Sequence, residues 1–278
     1  MLNPTMPAAL RGPLALLADR IDRLFVELAR SFDAEPWVFP PFVNVSDLRR
    51  IDYFTSFPHL ILLPVSPEPS DEAIEAFRKA NGAEASGPVE LTSAAPIELA
   101  LAPAACYSFY PAMRGCELET PYVGTTLGTC FRRERSYHGL ERRASFRMRE
   151  MVHVGSAATV GEFLETARER VEKLSARWGI PLHFETATDP FFDPRRSSRY
   201  AHQKLFPTKK EMIHRELALG SLNRHRNFFG EAFDLRFRGE AAHTACVAFG
   251  IERWASTIVA VHGDDPAGWP CGLEKDQP

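Results

Sequence analysis

The sequence predicts an α+β protein in which helices flank a mostly antiparallel β-sheet. Short apolar segments of strand length recur from residue 97 onward, separated by turn residues. Residues 13–31 and 159–178 instead carry apolar side chains at helical spacing. At 278 residues, the chain is expected to form one large domain, 1–278, rather than two small ones.

The N-terminal region, residues 1–62, is predicted to contribute a helix and an interface strand. The helix begins at Pro13, because proline is favoured at the first helical position. The run "FPHLILLPV", residues 57–65, is a continuous apolar segment of strand length bounded by prolines. Residues 63–96 follow as a variable loop region, with a short helix near "DEAIEAFRKANG" that Gly82 would end.

The remaining elements are six apolar segments and one long helix. The segments are "IELALAPAACYSFY", "GTTLGTCFRRE", "ASFRMREMVHVG", "IPLHFETA", "AFDLRFRG" and "TACVAFGIERWASTIVAVHG". Thr159 and Glu162 are interpreted as a capping box that begins the helix, and Gly179 with Pro181 ends it. This spacing predicts a mostly antiparallel sheet that one long helix interrupts.

The composition is that of an ordinary soluble globular protein. The formal net charge is -3, so we expect neither tight nucleic-acid binding nor membrane binding from charge alone. The apolar run near the N-terminus meets Asp19 and Arg20 too early for a signal sequence or a spanning helix. A cytoplasmic location is therefore predicted. The five cysteines form no CxxC pair, which favours free thiols or metal ligands over disulfides.

The segment "TCFRRERSYHGLERRASFRMRE", residues 129–150, is predicted to be a hairpin that lines a pocket. Side chains alternate along a strand, so Arg132 and Glu134 would share one face, as would Phe146 and Glu150. An arginine, a carboxylate and an aromatic ring together suit ATP, since they can bind phosphate, the adenine amino group and the base. The alternative is a charged hairpin exposed to solvent.

A second segment, "AHTACVAFGIERW", runs from an apolar strand into a predicted helix that carries Arg253. "FRRE" followed by "R...F", together with "FGIER", resembles the second and third signatures of the class II aminoacyl-tRNA synthetases. Longer stretches, including "LAPAACYSFYP", "TATDPFF" and "SLNRHRNFFG", are similar to amino acid:carrier protein ligases, which are truncated homologues of atypical methanogen-type seryl-tRNA synthetases. The resemblance covers roughly residues 50–270 and implies a class II synthetase-like fold.

The resemblance implies a zinc ion, Zn²⁺, held by Cys106, Glu150 and Cys246. Two thiolates and a carboxylate leave the fourth tetrahedral position open, as in catalytic or substrate-binding zinc sites. From the residues alone, buried thiols acting as small core hydrophobes remain the alternative. Cys116 and Cys130 are interpreted as loop or core thiols.

The resemblance also implies site roles. Arg132 and Arg253 would be catalytic, and Arg132, Glu134, Phe146 and Arg253 would bind ATP. Asp189, Ser221 and Asn223 would line the substrate site. The residues themselves leave open that Asp189 is a turn residue before Pro190 and that Ser221 or Asn223 only caps a turn.

The implied reaction uses ATP and Mg²⁺ to convert a small amino acid, glycine or alanine, to aminoacyl-AMP. The acyl group would then move to the phosphopantetheine thiol of a carrier protein. We expect a homodimer, and the alternative is a monomer that packs the "FPHLILLPV" run in its own core. No tRNA substrate is expected, because one catalytic domain leaves no room for a tRNA-holding domain. Basic candidates for carrier docking are either Arg195, Arg196, Arg199 and Lys204, or Lys209 and Lys210, and all of these could equally be solvated charges.

Two alternatives to this function remain at this point. A synthetase paralogue could charge a tRNA or a protein instead of a carrier. A catalytically silent synthetase-like module could bind a partner or sense an amino acid. The intact signature residues Arg132, Glu134, Phe146 and Arg253 argue against the silent module.

Overall fold

A computed structural model describes residues 9–195, 208–270 and 272–273 of the chain. Its helices are α1 (Pro13–Arg30), α2 (Val45–Arg50), α3 (Tyr53–Ser56), α4 (Asp71–Ala80), α5 (Phe109–Ala112), α6 (Ala157–Arg177), α7 (Phe228–Phe233) and α8 (Ile251–His262). Short 3₁₀ turns span Ala105–Ser108 and Pro266–Gly268. None of the described helices is long and apolar enough to cross a membrane.

The strands belong to one large sheet and two small ones. They are β1 (Glu35–Trp37), β2 (Phe42–Asn44), β3 (Leu99–Leu101), β4 (Glu117–Leu118), β5 (Tyr122–Phe131), β6 (Ser145–Gly155), β7 (His183–Ala187), β8 (Lys209–His214), β9 (Leu217–Arg226), β10 (Arg236–Phe237), β11 (Glu240–Ala241) and β12 (His243–Gly250). The large sheet has the order β1-β5-β6-β12-β9-β8-β7. Its neighbours pair antiparallel except β1 and β5, which are parallel. The predicted fold class is confirmed.

The two faces of the large sheet are covered differently. One face packs against α1, α6 and α8 through large apolar side chains that include Phe25, Phe163, Phe249 and Trp254. The other face meets the 3₁₀ turn at Ala105–Ser108 and the short helices α5 and α7. Because residues alternate along each strand, successive residues of β6 and β12 belong to different environments.

The cross-strand register determines which side chains meet on the second face. Ala248 of β12 lies opposite Glu150 of β6 and opposite Ser221 of β9. Cys246 lies opposite Asn223, two residues along the same strands. Directly opposite residues point to the same side of a sheet, so these side chains share one face. The sheet therefore presents a polar strip at the centre of an otherwise apolar layer.

Several element predictions are confirmed, and three are wrong. Helix α1 begins at Pro13 as predicted, whereas the "FPHLILLPV" run forms a turn and irregular chain instead of a strand. Strand β5 ends at Phe131, so Arg132 and Glu134 lie beyond the strand, although Arg132 N–H still bonds to Ala144 O at 3.0 Å.

The third error concerns the start of α6. Its N-cap is Ser156, whose side chain accepts from the Thr159 N–H, while the Thr159 hydroxyl accepts from the Ser156 N–H. Serine is a preferred N-cap, and Thr159 takes the third helical position that glutamate often occupies. The predicted capping box is therefore displaced by three residues, and Glu162 is not part of it.

Candidate functional site

Three predicted metal ligands come together at the centre of the second sheet face. Cys106 lies in the 3₁₀ turn, Glu150 lies in β6 and Cys246 lies in β12. Their ligand atoms lie within 4.8 Å of one another, and all three residues are buried. Cys130, although buried and only two residues from Arg132, is not part of this group, and Cys116 is exposed.

The donor set fits a zinc ion. Glu150 Oε1 accepts from the Ala105 N–H at 2.9 Å, whereas its buried Oε2 has no hydrogen-bond partner among the described residues. A buried carboxylate oxygen without a partner is costly unless a cation compensates it. Two sulfurs and one carboxylate oxygen are also ligands that Zn²⁺ accepts.

A polar shell surrounds Cys246. Asn223 Nδ2 donates to Cys246 Sγ at 3.2 Å and to Ser221 Oγ at 3.0 Å. His225 Nε2 lies 3.8 Å from the same sulfur, and His225 Nδ1 lies 3.1 Å from the Tyr110 hydroxyl. The sequence prediction named Asn223 and Ser221 but not His225 or Tyr110. His225 lies in the same "SLNRHRNFF" segment, two residues beyond Asn223, so the strand alternation alone could have placed it on this face.

The electrostatic environment keeps these thiols protonated when no cation is bound. A hydrogen bond with Cys246, burial and the nearby Glu150 all raise the pKa of Cys106 well above its usual value. The hydrogen bond with Cys106 lowers the pKa of Cys246, but burial and Glu150 outweigh it, so that this pKa is also raised. A metal ion would reverse this preference, because thiolate is the ligating form.

Near the cluster lies a cavity that contains the residues predicted to bind ATP, and we call it the nucleotide cleft. Arg132, Glu134, Phe146 and Arg253 all line it. The Arg132 guanidinium lies 5.2 Å from the centre of the Phe146 ring, and its Nε donates to Pro103 O at 2.9 Å. The structure therefore brings the four predicted residues together, despite the early end of β5.

Arg253 is held in this cleft by backbone carbonyls. Its Nε donates to Glu141 O at 2.7 Å, and one terminal nitrogen donates to Ala218 O at 2.8 Å. Burial, followed by the charges of Arg132 and Arg142, lowers the pKa of Arg253. Guanidinium groups that disfavour one another in a partly buried cleft are stabilised when a polyanion binds between them. The cleft therefore has the charge that a nucleoside triphosphate requires.

The cluster opens into a cavity of about 560 Å³. Asp189, Ser221 and Asn223 line it, as the sequence prediction expected for a substrate site. This cavity and the nucleotide cleft share four lining residues: Arg132, Met148, Lys209 and Ser221. We call this shared region the neck. A group bound in the neck touches both spaces.

The carrier-docking candidates have a mixed outcome. Arg195 is exposed, whereas Arg196, Arg199 and Lys204 lie outside the described residues. The Lys209 side chain is only 17% exposed and lines the neck, whereas Lys210 is exposed. The position of Lys209 on the site face depends on the pairing of β8 with β9, which the sequence did not reveal.

Comparison with known proteins places this site in a family. Residues 92–262 match the tRNA synthetase class II core domain (G, H, P, S and T), a range that contains every predicted site residue. The chain is 36% identical over 278 residues to "Amino acid--[acyl-carrier-protein] ligase 2" of Bradyrhizobium diazoefficiens, covering 94% of this chain and 80% of that protein. It is 33% identical to ligase 1 of the same organism, with 92% and 81% covered. The chain belongs to this ligase family.

Solved structures agree on the fold of the ligase. Seryl-tRNA synthetase of M. kandleri, crystallised with A. aeolicus tRNASec, superposes with a TM-score of 0.83 at 20% identity, covering 96% of this chain and 56% of that one. Prolyl-tRNA synthetase of Cryptosporidium parvum gives a TM-score of 0.66 at 14% identity, with 93% and 48% covered. The ligase thus spans about half the length of the solved structures it matches.

Proposed function

We propose that the protein activates a small amino acid, glycine or alanine, with ATP and transfers it to the phosphopantetheine thiol of a carrier protein. The observation that carries this proposal is the neck, where an arginine-lined cleft meets a cavity that contains the cysteine and glutamate cluster. Two adjoining sites of this kind suit a reaction between a nucleotide and a second, amine-bearing substrate. The carrier as acceptor is supported by the 36% identical relative.

The nucleotide binds in the cleft that Arg253 and Phe146 line. The adenine stacks on Phe146, Glu134 accepts a hydrogen bond from the adenine amino group, and Arg253 binds the terminal phosphates. Arg132, which lines both cavities, faces the α-phosphate. Mg²⁺ accompanies ATP and carries part of the phosphate charge. Both arginines donate to backbone carbonyls, which restrain their side chains, so little reorganisation is needed on binding.

The amino acid binds in the larger cavity with its amino group toward Cys106, Glu150 and Cys246. These three residues would hold Zn²⁺, which when bound would supply a Lewis acid for the lone pair of a neutral amine. Asn223 orients Cys246 through its hydrogen bond to the sulfur. The amino acid's carboxylate then points from the cluster toward the neck.

In the first step, one carboxylate oxygen of the amino acid forms a bond to the α-phosphorus of ATP, and the bond to pyrophosphate breaks. Arg132 and Arg253 stabilise the negative charge on the phosphoryl oxygens and on the departing pyrophosphate. In the second step, the pantetheine sulfur forms a bond to the acyl carbon, and AMP leaves with the former carboxylate oxygen. The thiol proton is lost to solvent. No side chain needs to become covalently modified.

The cavity volume supports the second step. About 560 Å³ exceeds what glycine or alanine fills, and leaves room for a slender thiol-bearing arm. Selection between the two amino acids depends on a single methyl group, which is worth only about 1 kcal/mol or slightly more in a pocket. Discrimination of more than about tenfold between them is therefore not expected.

Amino-acid-dependent exchange of labelled pyrophosphate into ATP tests the first step. The wild-type protein is expected to catalyse exchange with glycine or alanine and not with large amino acids. A silent binding module would give no exchange with any amino acid. Arg253→Met provides the matched loss-of-function control, because it removes one phosphate ligand and leaves the cysteine and glutamate cluster intact.

Transfer of labelled amino acid to a phosphopantetheinylated carrier protein tests the second step. Radioactivity should be released from the carrier by hydroxylamine or mild base, as a thioester requires. The apo-carrier, which lacks the thiol, is the control and should remain unlabelled. Labelling of bulk tRNA without labelling of the carrier would support a synthetase paralogue instead.

We propose that the protein is a homodimer located in the cytoplasm. Support for dimerisation comes from apolar side chains exposed near the β2 and β3 ladder: Val38 is 96% exposed, Phe42 39% and Leu99 42%. Phe42 and Leu99 lie on paired strands, and exposed apolar side chains grouped in this way mark interaction surfaces more often than isolated ones do. Light scattering should give twice the 31.2 kDa chain mass for the wild type and one chain mass for a Val38→Glu, Phe42→Glu variant. The cytoplasmic location is supported by thiols that form no disulfide among the described cysteines.

A further inference from the structure

Lys209 occupies a position that the proposed mechanism does not yet use. Its ammonium nitrogen lies 3.2 Å from Asp189 Oδ1 and 3.4 Å from Glu211 Oε1. The side chain is only 17% exposed, and it lines both the substrate cavity and the nucleotide cleft. Lys209 is therefore a partly buried cation in the neck, held between two carboxylates.

The neck receives cations from two separate parts of the sheet. Arg132 follows β5, whereas Lys209 opens β8, and strands β6, β12 and β9 lie between them. The Arg132 guanidinium is turned toward the nucleotide cleft, where it lies over the Phe146 ring. Lys209 approaches from the side of Asp189, on the wall of the substrate cavity.

The substrate's carboxylate needs a cationic partner at the point where the substrate cavity meets the nucleotide cleft. The wall of the cavity carries the carboxylates of Glu150, Asp189 and Glu231, and its cationic side chains are Arg132, Lys209, Arg224 and Arg226. A partly buried carboxylate is stable only with a compensating charge or several hydrogen bonds. In the described residues of the neck, Lys209 and Arg132 are the cationic side chains that line both spaces.

We propose that Lys209 binds the carboxylate of the amino acid in the neck and orients it toward the α-phosphorus. This inference rests on the proposed function and adds a substrate-binding residue to it. An ammonium group has three N–H donors, of which one donates to Asp189 at 3.2 Å and a second lies on the side of Glu211, an ion-pair partner at 3.4 Å. The third donates to the substrate oxygen, so Lys209 can bind the carboxylate without leaving its resting position.

Lys210 provides a matched control on the same strand. It lies opposite Leu222, whose side chain belongs to the core under α6, so Lys210 points away from the neck. The pKa of Glu165 in α6 is lowered by the hydrogen bond from Arg168 and, to a smaller extent, by the positive charge of Lys210. Substituting Lys210 removes the same charge from the opposite face of the sheet.

The test measures pyrophosphate exchange by wild type, Lys209→Met, Lys209→Arg and Lys210→Met, with whichever of glycine and alanine the wild type activates. Inhibition by the corresponding amino alcohol, ethanolamine or alaninol, is measured alongside, because that probe keeps the amine and lacks the carboxylate. Lys209→Met should raise the KM for the amino acid about 10- to 100-fold, as expected for loss of a charge-assisted hydrogen bond, and should leave amino alcohol inhibition within about twofold. Lys209→Arg should recover part of the loss, and Lys210→Met should resemble the wild type.

Two results would overturn the inference while leaving the proposed function intact. One is an unchanged KM for the amino acid in Lys209→Met. The other is an equal loss of amino acid and amino alcohol binding, which would mean that Lys209 only positions Asp189. Should Lys209→Met fail to fold, the same comparison is made with Lys209→Gln, which retains a hydrogen-bond donor but no charge. Absence of exchange by the wild type would instead refute the proposed function, and this inference with it.

Discussion

Residues that alternate along strand β6 serve different purposes on its two faces: one face stabilises the fold, and the other contributes to the candidate site. Arg149 points to the helix-covered face, where its guanidinium makes two 2.8 Å bonds to Asp22 of α1. Glu150, the next residue, points to the other face and joins Cys106 and Cys246. The helix-covered face is closed by apolar packing and ion pairs, whereas the site face brings a carboxylate and two thiols within 4.8 Å of one another. Substitutions at neighbouring residues of β6 should therefore affect either the stability of the fold or the chemistry of the site, but not both.

Cys246→Ser is the change that should affect the site face most. A hard hydroxyl is a poor replacement for a thiolate in a zinc site, so the purified variant should lose its bound metal and nearly all exchange activity. Metal analysis of wild type and variant checks this. Cys130→Ala is the control, since it removes a buried thiol that lies outside the cluster, and it should retain about one zinc per chain. Equal zinc content in the wild type and Cys246→Ser would contradict the assignment.

Arg149→Met should have the largest effect on the helix-covered face. Removing one partner of a buried ion pair leaves Asp22 without compensation, which costs about 3–5 kcal/mol of unfolding free energy. Urea denaturation measures this loss. At a temperature where the variant is folded, its kcat for exchange should stay within about twofold of wild type. A large fall in kcat of fully folded protein would show that the two faces are not separable.

Arg132→Met is the counterpart of Arg149→Met, because it removes an arginine from the candidate site instead of from the helix-covered face. Loss of one group that stabilises charge in the transition state should lower kcat/KM for exchange by about 10²- to 10³-fold. The midpoint of urea denaturation should shift little, because Arg132 makes its described hydrogen bond to one backbone carbonyl. The double variant with Arg149→Met should show both losses added together, since the two side chains share no partner.

A smaller effect concerns the pH dependence of stability. Burial lowers the pKa of His153 to about 4, from 6.5, and its ring lies on the helix-covered face against Phe163. The unfolded chain therefore binds a proton at higher pH than the folded protein does. The stabilisation is complete above about pH 6.5 and is lost as the pH falls toward 4, by up to about 3 kcal/mol. Denaturation of wild type and His153→Gln between pH 7 and pH 4 should show a shallower decline in the variant.

The sequence predicted the fold most accurately where the spacing of apolar residues and a turn residue indicate the same element. The face of α1 and the junction of β12 with α8 follow from apolar spacing and from Gly250, and the predicted elements agree with the structure. The grouping of Cys106, Glu150 and Cys246 was available only through resemblance to a family, because nothing local links residues so far apart. Once the register is known, Ala248 opposite Glu150 places Cys246, two residues along β12, on the same face as Glu150. Cys106 joins them because its 3₁₀ turn packs on β6, where the Ala105 N–H donates to Glu150.

The errors arise where tertiary contacts outweigh local preference. The apolar run at residues 57–65 has the composition of a strand but bonds as a turn, with Leu60 N–H donating to Phe57 O, and its Phe57 and Leu60 side chains enter the core without a strand partner. Lys209 resembled a surface charge because its cavity is formed by strands that pair only in the folded protein. Residues of this kind become visible as functional only after the sheet is assembled.

The separation of the two thiols along the chain, 140 residues (246 minus 106), has a consequence for how the proposed zinc ion would be acquired. Closing so long a loop in a disordered chain is entropically unfavourable, so a nascent polypeptide cannot trap the ion tightly before its strands pair. Maturation would then proceed in order, with the scaffold assembled first and the ion admitted afterwards through the cavity. Zinc binding to the folded protein would also raise its melting temperature. The melting temperature measured at increasing concentrations of free zinc would therefore report the fraction of protein that has bound the ion.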